Sequence, residues 1–468
     1  MKIEQIYTGC LAQGAYYIES NGEVAIIDPL REVQPYIDKA NADNATIKYI
    51  FETHFHADFV SGHVTLAQKT GAPIVFGPNA TPEYDSIVAT DGQVFQLGEI
   101  TITCLHTPGH TMESSCYLLK DKTGKDYALF SGDTVFLGDV GRPDLAQKAA
   151  HMTQEELAGI LFDSIRTKIM PLADDVIIYP AHGAGSACGK NLSKETVGTI
   201  GDQKATNYAL RANMTREEFI AEVTDGLLPP PAYFPMNVKL NKEGYENVET
   251  IINNAKALSA KEFEIVANET NALILDVRNE NDFAQGHIPN SIFIGIHGAF
   301  APWVGALILD FKQPILLVTP EGKETETIKR LARVGYDATI GYLEGGIDAW
   351  KNSGFEIDTV NCISAETLEE KLKEEIAVFD VRKPGEFSAE HLNEAPSTPL
   401  DYLNEHLSEF PKDIEFYLFC AGGYRSMIAA SILKARGYNN VINVNGGFAA
   451  IKKTGIKTSE FVCPSTLK

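Results

Sequence analysis

The chain has 468 residues, 44% hydrophobic and 22% charged, an ordinary globular composition with length for two to four domains. A formal net charge of −23 argues against nucleic acid as a partner, since phosphates are neutralised by clustered Lys and Arg, and no run of about 20 apolar residues is present to span a membrane. The opening MKIEQIYTGCLAQG lacks the basic and apolar blocks of a secretory signal, and seven cysteines, an odd number, make no disulfide framework, so a cytoplasmic location is expected.

In the first half, apolar β-like runs alternate with residues able to bind a metal. IKYIFET leads into HFHADF, which carries His54, His56 and Asp58 and then Phe59. The helix SGHVTLAQKTG follows. ITITCLHT leads to His110, YALFSG to Asp133, and DVIIYPA to His182. A strand that delivers a ligand at its own end holds it rigidly, as metal chemistry requires. After Asp133, the loop GDVGRPDL carries Arg142, and Thr153 with Glu156 predicts a capping box for the helix QEELAGILFDSIRTKI. His63, His106 and His151 lie near these motifs and read as structural or solvent-facing. Cys188, six residues past His182 in GAGSACGKN, is either a small loop residue or a sulfur relay near the metal. Cys10, Cys104 and Cys116 sit in or beside strand-like runs and read as packing residues.

Residues 227–245 hold four of the 22 prolines and no clear periodicity, which reads as a stiff linker. Beyond it the sequence repeats. ALILDVRNENDFAQGHI at 272–288 matches AVFDVRKPGEFSAEHL at 377–392, and RLARVGYDATIGYLEGGIDAWKNSG matches ILKARGYNNVINVNGGFAAIKKTG. Two copies of strands alternating with amphipathic helices predict two α/β domains with parallel sheets, over 246–358 and 359–468, behind a first domain at 1–226.

The copies differ at one loop. In the second, the strand EFYLFC ends at Cys420 and continues Ala421, Gly422, Gly423, Tyr424, Arg425 before the helix SMIAASILKARG. The glycines let successive N–H groups converge as an anion nest, and the helix N-terminus and Arg425 add positive potential. Such a loop should favour a thiolate and hold a persulfide anion. In the first copy, PILLVTPEGK places either Val318 or Thr319 opposite Cys420, and Pro320 removes an N–H from the nest. That copy is expected to be catalytically dead. Cys362 and Cys463 lack comparable surroundings.

The ordered motifs of the first half resemble the metallo-β-lactamase superfamily, whose pattern is HxHxDH, then His, Asp and His. The resemblance implies an N-terminal αββα sandwich. Phe59 departs from it, because the two-zinc hydrolases have a His there that helps hold the second metal. One metal is therefore expected, and the resemblance narrows to the persulfide dioxygenases. It implies His54, His110 and Asp133 as ligands, with His56, Asp58 and His182 close to the metal. Two imidazoles and a carboxylate suit one non-haem Fe(II), although crystals can carry zinc in such a site because affinity alone does not select iron. The resemblance also makes Arg142 an anchor for a substrate carboxylate; the alternative is a surface ion pair with Asp139 or Asp144. The second half resembles tandem rhodanese domains, with Cys420 and Arg425 catalytic.

Together these resemblances imply oxidation of a low-molecular-weight thiol persulfide (glutathione is one candidate thiol) by O2 to sulfite, coupled to sulfur transfer through Cys420, with thiosulfate as a product. This amounts to hydrogen sulfide detoxification and is compatible with a homo-oligomer. The alternatives are a zinc thioester hydrolase of the glyoxalase II type with a sulfurtransferase tail, and a non-catalytic sulfur carrier.

Overall fold

The computed structural model describes residues 1–190, 192–393 and 395–463. They divide into two compact units, Met1–Val248 with Leu331–Gly335, and Glu249–Arg330 with Tyr336–Lys468.

The first unit contains two six-stranded sheets. One is built, in spatial order, from Lys2–Thr8, Gln13–Ser20, Glu23–Ile27, Thr46–Phe51, Ile74–Phe76 and Ile87–Val88. The other runs Gly198–Thr199, Ile177–Pro180, Asp126–Gly132, Ser115–Lys120, Ile100–His106 and Val94–Leu97. Side chains alternate across a strand, so neighbours enter different cores. Ile18, Phe51, Ile102 and Phe130 meet between the sheets. Tyr17, Ile26 and Ile50 turn outward to Tyr36 and Leu66 on the helices Gln34–Ala42 and His63–Thr70. Leu118, Leu129 and Ile178 turn the other way, toward Leu161 and Phe219 on the helices Gln154–Ser164 and Arg216–Thr224. Three apolar cores between four layers, two sheets flanked by helices on each outer face, make the αββα sandwich. The capping box expected at Thr153 and Glu156 is present.

The stiff-linker reading needs correction. Pro229, Pro230 and Pro231 lead into a helix, Phe234–Glu243, with Pro235 in its first turn, where no donor is lost. Asn241 of this helix is buried and donates to the carbonyl oxygens of His56 and Phe59, both at 2.8 Å, while accepting from the N–H of Ser61 at 2.9 Å. The segment is part of the first unit and clamps its first motif.

The second unit carries the repeat as two all-parallel sheets. The five-stranded one runs Lys256–Leu258, Thr339–Leu343, Ile315–Val318, Leu273–Asp276 and Ile292–Phe293. The four-stranded one runs Asn361–Ile363, Val441–Val444, Phe416–Phe419 and Ala377–Asp380. Parallel pairing requires crossovers, here largely helical. The copies agree down to single bonds. Arg278 grips Asp276 and the carbonyl of Gly286, as Arg382 grips Asp380 and the carbonyl of Glu390. His287 bonds the carbonyl of Phe283 and stacks on its ring, as His391 does with Phe387. Among the described residues, no helix is long and apolar enough to cross a membrane.

Candidate metal centre and cysteine loop

Four strand ends converge at the mouth of the first unit. Thr46–Phe51 is followed by His54, Ile100–His106 by His110, Asp126–Gly132 by Asp133 and Ile177–Pro180 by His182. Gly132 makes the turn into Asp133 with φ +53°, and a Cβ there would lie 2.7 Å from the Thr53 side chain. Only glycine fits both demands.

His54, His110 and Asp133 are each at most 2% exposed, and their ligand atoms lie within 4.8 Å of one another. Asp133 Oδ2 is 3.7 Å from His54 Nε2 and 3.4 Å from His110 Nε2. The tautomers follow from the outer partners. His110 Nδ1 faces the carbonyl oxygen of Arg142 at 2.9 Å and must donate to it. Thr53 Oγ1 donates to Asp28 Oδ2 at 2.9 Å, so His54 Nδ1 donates to Thr53 Oγ1 at 3.0 Å. Both Nε2 lone pairs therefore face the gap, the arrangement in which an outer hydrogen bond orients a metal-binding imidazole. Burial, then His56, pushes His54 well below the usual histidine range, so it stays neutral. Burial alone would raise Asp133, but His182, His54 and His110 overturn that and hold its carboxyl far below the usual range. Asp133 Oδ2 has no hydrogen-bond partner and is fully enclosed. An orphaned carboxylate oxygen between two imidazole lone pairs is costly unless a cation fills the gap. These three residues fit a metal ion.

The other three expected neighbours are close but occupied differently. His182 has Nδ1 2.8 Å from Asp133 Oδ1 and Nε2 2.8 Å from Asp58 Oδ2. Against the effect of burial, these two carboxylates push His182 well above its usual range, so it sits as a cation between them. His56 turns away from the gap, with Nε2 3.0 Å from Asp28 Oδ1 and 3.9 Å from Glu52 Oε2. Phe59 is fully buried, its ring 4.4 Å from that of His56. Asp28 and Glu52 went unnoticed in the sequence. Asp28 closes the run EVAII just as Asp133 closes YALFSG, so the strand-end signal was there.

Cys188 is buried and groups with Asp58 and His182 within 4.8 Å. Burial first, then Asp58 and Asp133, raises its thiol well above the usual value, so it stays protonated. Arg142 requires a correction. It is 6% exposed rather than superficial, and it pairs with Asp144 through Nε and Nη2, both at 2.7 Å, not with Asp139. Nη1 and Nη2 also donate to the carbonyls of Ala187 and Leu228. The guanidinium is thus spent on tying loops together. The residue serves the site through its backbone carbonyl at His110. His63 bonds Tyr84, His106 bonds the carbonyl of Met112, and His151 is exposed beside the cap, as expected of residues outside the ligand set.

In the second unit, Cys420 follows Phe416–Phe419 and is 1% exposed. The N–H of Gly423 donates to its Sγ at 3.1 Å, and Ser426 Oγ lies 3.6 Å away. Gly423 has φ +113°, as the inward-turned N–H requires. Arg425 forms a two-pronged pair with Glu386 at 2.5 and 2.8 Å. The ladders settle the alignment of the copies, because Asp276 pairs with Val318 where Asp380 pairs with Phe419. Thr319, not Val318, stands opposite Cys420. Five residues on, Glu324 replaces Arg425 and accepts from Thr319 Oγ1 at 3.2 Å. A cavity of about 560 Å³ beside it sets Asp282, Glu321, Glu324 and Asp348 against Arg278 and Lys351, a net negative lining of the wrong sign for an anionic sulfur donor.

Residues 8–182 match the metallo-beta-lactamase superfamily, and residues 259–353 and 364–454 each match the rhodanese-like domain. A solved metallo-beta-lactamase from Staphylococcus aureus is 32% identical, with a TM-score of 0.64, covering 74% of this chain and 99% of that one. The hydroxyacylglutathione hydrolase GloC of Haemophilus influenzae is 28% identical over 213 residues, 41% of this chain and 94% of its own. ETHE1 from Myxococcus xanthus is 26% identical, covering 52% of this chain and 98% of that one, with a TM-score of 0.45.

Proposed function

Because this chain belongs to the metallo-β-lactamase superfamily and carries two rhodanese-like domains behind its metal domain, we propose that it oxidises a small thiol persulfide to sulfite and moves sulfane sulfur through Cys420. The overall reaction balances as R-SSH + O2 + H2O → R-SH + SO3²⁻ + 2 H⁺. At Cys420 the thiolate takes a sulfur atom from thiosulfate and releases sulfite, or the Cys420 persulfide gives its outer sulfur to sulfite and makes thiosulfate.

The observation that carries this reading is the state of His182. Both its nitrogens face carboxylates at 2.8 Å, and Phe59 offers no lone pair where a second metal would take one, which supports a single ion. In this reading one ion is held by His54, His110 and Asp133, and iron in that place would supply the O2 activation that oxidation of a sulfur needs. The chain's own residues do the rest. Thr53 and the Arg142 carbonyl keep both imidazoles in the ligating tautomer, and the enclosed Asp58–His182–Asp133 array holds a proton next to the site. Cys188, protonated and buried, groups with Asp58 and His182 beside this array and acts as a relay only if it loses that proton.

A second reading is a zinc thioester hydrolase. It is favoured by the grouping of Asp58, His182 and Cys188, which would hold a second ion if His182 let go of Asp58 or Asp133. Metal analysis of anaerobically purified protein separates the two. One iron per chain supports the dioxygenase, whereas two zincs with thioesterase activity would overturn it. Thiosulfate treatment followed by mass spectrometry should place one added sulfur on the Cys420 peptide.

A further inference from the structure

Tyr424 is the fifth residue of the loop that begins at Cys420 and the first of the helix Tyr424–Ala435. Its side chain reaches into the other repeat. The hydroxyl donates to the carbonyl oxygen of Gly295 at 2.7 Å, and the ring meets that of Phe293 with centroids 5.8 Å apart and planes at 69°. Gly298 is shaped to this ring. A Cβ there would lie 2.3, 2.6 and 2.7 Å from three atoms, all of them ring carbons of Tyr424. The φ of Gly298 is outside the left-handed region, so its backbone does not call for glycine; the ring does.

A second contact fixes the same helix. Ser431 Oγ accepts from the N–H of Phe293 at 3.0 Å. Residues 424 and 431 are seven apart, about two turns on one face. The inactive copy thus holds the helix at its first turn and again at mid-length, and the helix covers what would otherwise be an open sheet edge at Ile292–Phe293. On the other side of the Tyr424 backbone lies the sulfur, because the adjoining Gly423 N–H donates to Cys420 Sγ. One peptide unit separates the group held by the inactive copy from the group that holds the sulfur. The relation runs one way. At the matching place in the first copy stands Lys323, which pairs with Glu326 on its own helix turn at 2.7 Å.

We propose that Tyr424 is a positioning residue, and that the inactive rhodanese copy orients the Cys420 loop by receiving its ring over Gly298. This rests on the assignment of Cys420 as sulfur carrier and gives the copy without a cysteine its task.

The test uses the full chain, thiosulfate as donor and cyanide as acceptor, with rates divided by the number of titratable Cys420 thiols. Tyr424→Ala and Gly298→Ala should each lower kcat about tenfold with KM for thiosulfate little changed, because the contact shapes the reacting sulfur's surroundings rather than donor binding. Tyr424→Phe keeps the ring and should recover most of the rate. In the double variant, Gly298→Ala should add no further loss, since the ring it obstructs is gone and coupled residues are non-additive. A merely structural role would reduce the number of reactive thiols and leave the rate per thiol intact, which would overturn the proposal. Additive losses would overturn it as well. Absence of sulfur on Cys420 in the unaltered chain would sink the carrier assignment itself, and the proposal with it.

Discussion

At the scale of single residues, the site depends on hydrogen bonds that decide which atoms can act. Cys420→Ser should abolish sulfur transfer, because an oxygen cannot carry sulfane sulfur, while Thr319→Ala should leave it unchanged; a thiosulfate:cyanide assay with both variants checks this. The position of Arg142 changes what its loss should do. In the sequence it reads as a substrate anchor, whose removal raises KM. In the structure its guanidinium is buried against Asp144 and two carbonyls. Breaking a buried pair by removing one partner strands the other, so Arg142→Ala should cost about 3 kcal/mol of stability with KM for the persulfide little altered. Urea unfolding beside steady-state kinetics reads both numbers, and a raised KM at unchanged stability would restore the anchor.

At the scale of elements, the strand-end motifs and the internal repeat were legible because periodicity and spacing are local properties of the chain. His54, His110, Asp133, His182 and Cys420 could be marked in this way. What was hidden depends on partners far apart in sequence. The helix Phe234–Glu243 sits behind a proline run, and its function comes from Asn241 bonding residues about 180 positions earlier. Nothing local announces that. The choice between Val318 and Thr319 likewise needed the ladder register and not the sequence alone. Asn241→Ala would leave two carbonyls and an N–H buried without partners, at about 1–3 kcal/mol for each unsatisfied group. Its midpoint in urea should fall and its metal affinity should weaken together; a metal affinity that stayed intact would show that the clamp does not position the ligands. The repeated His–Phe stack makes a pH prediction. Burial lowers His287 below its usual 6.5, so the unfolded chain takes up a proton that the folded chain resists. From this group stability should fall as the pH drops through and below 6.5 and be flat above it, and His287→Asn should make that slope shallower in urea titrations, the buried His54 and His63 supplying the rest.

At the scale of the whole molecule, the metal centre and the Cys420 loop belong to different compact units with separate apolar cores. Asp133→Ala should therefore abolish metal binding and O2 uptake while leaving thiosulfate:thiol sulfur transfer nearly intact, as expected for independent sites. Simultaneous loss of both activities would show that they are one machine. In the proposed reading the first unit uses a single iron to oxidise a persulfide rather than two zincs to cleave a thioester. The most direct measurement is oxygen consumption by the iron-loaded protein on glutathione persulfide, with S-lactoylglutathione hydrolysis followed in the same preparation. One O2 should be taken up per persulfide, with sulfite formed in equal amount and no thioester cleaved; cleavage of the thioester with no oxygen uptake would instead make the first unit a hydrolase.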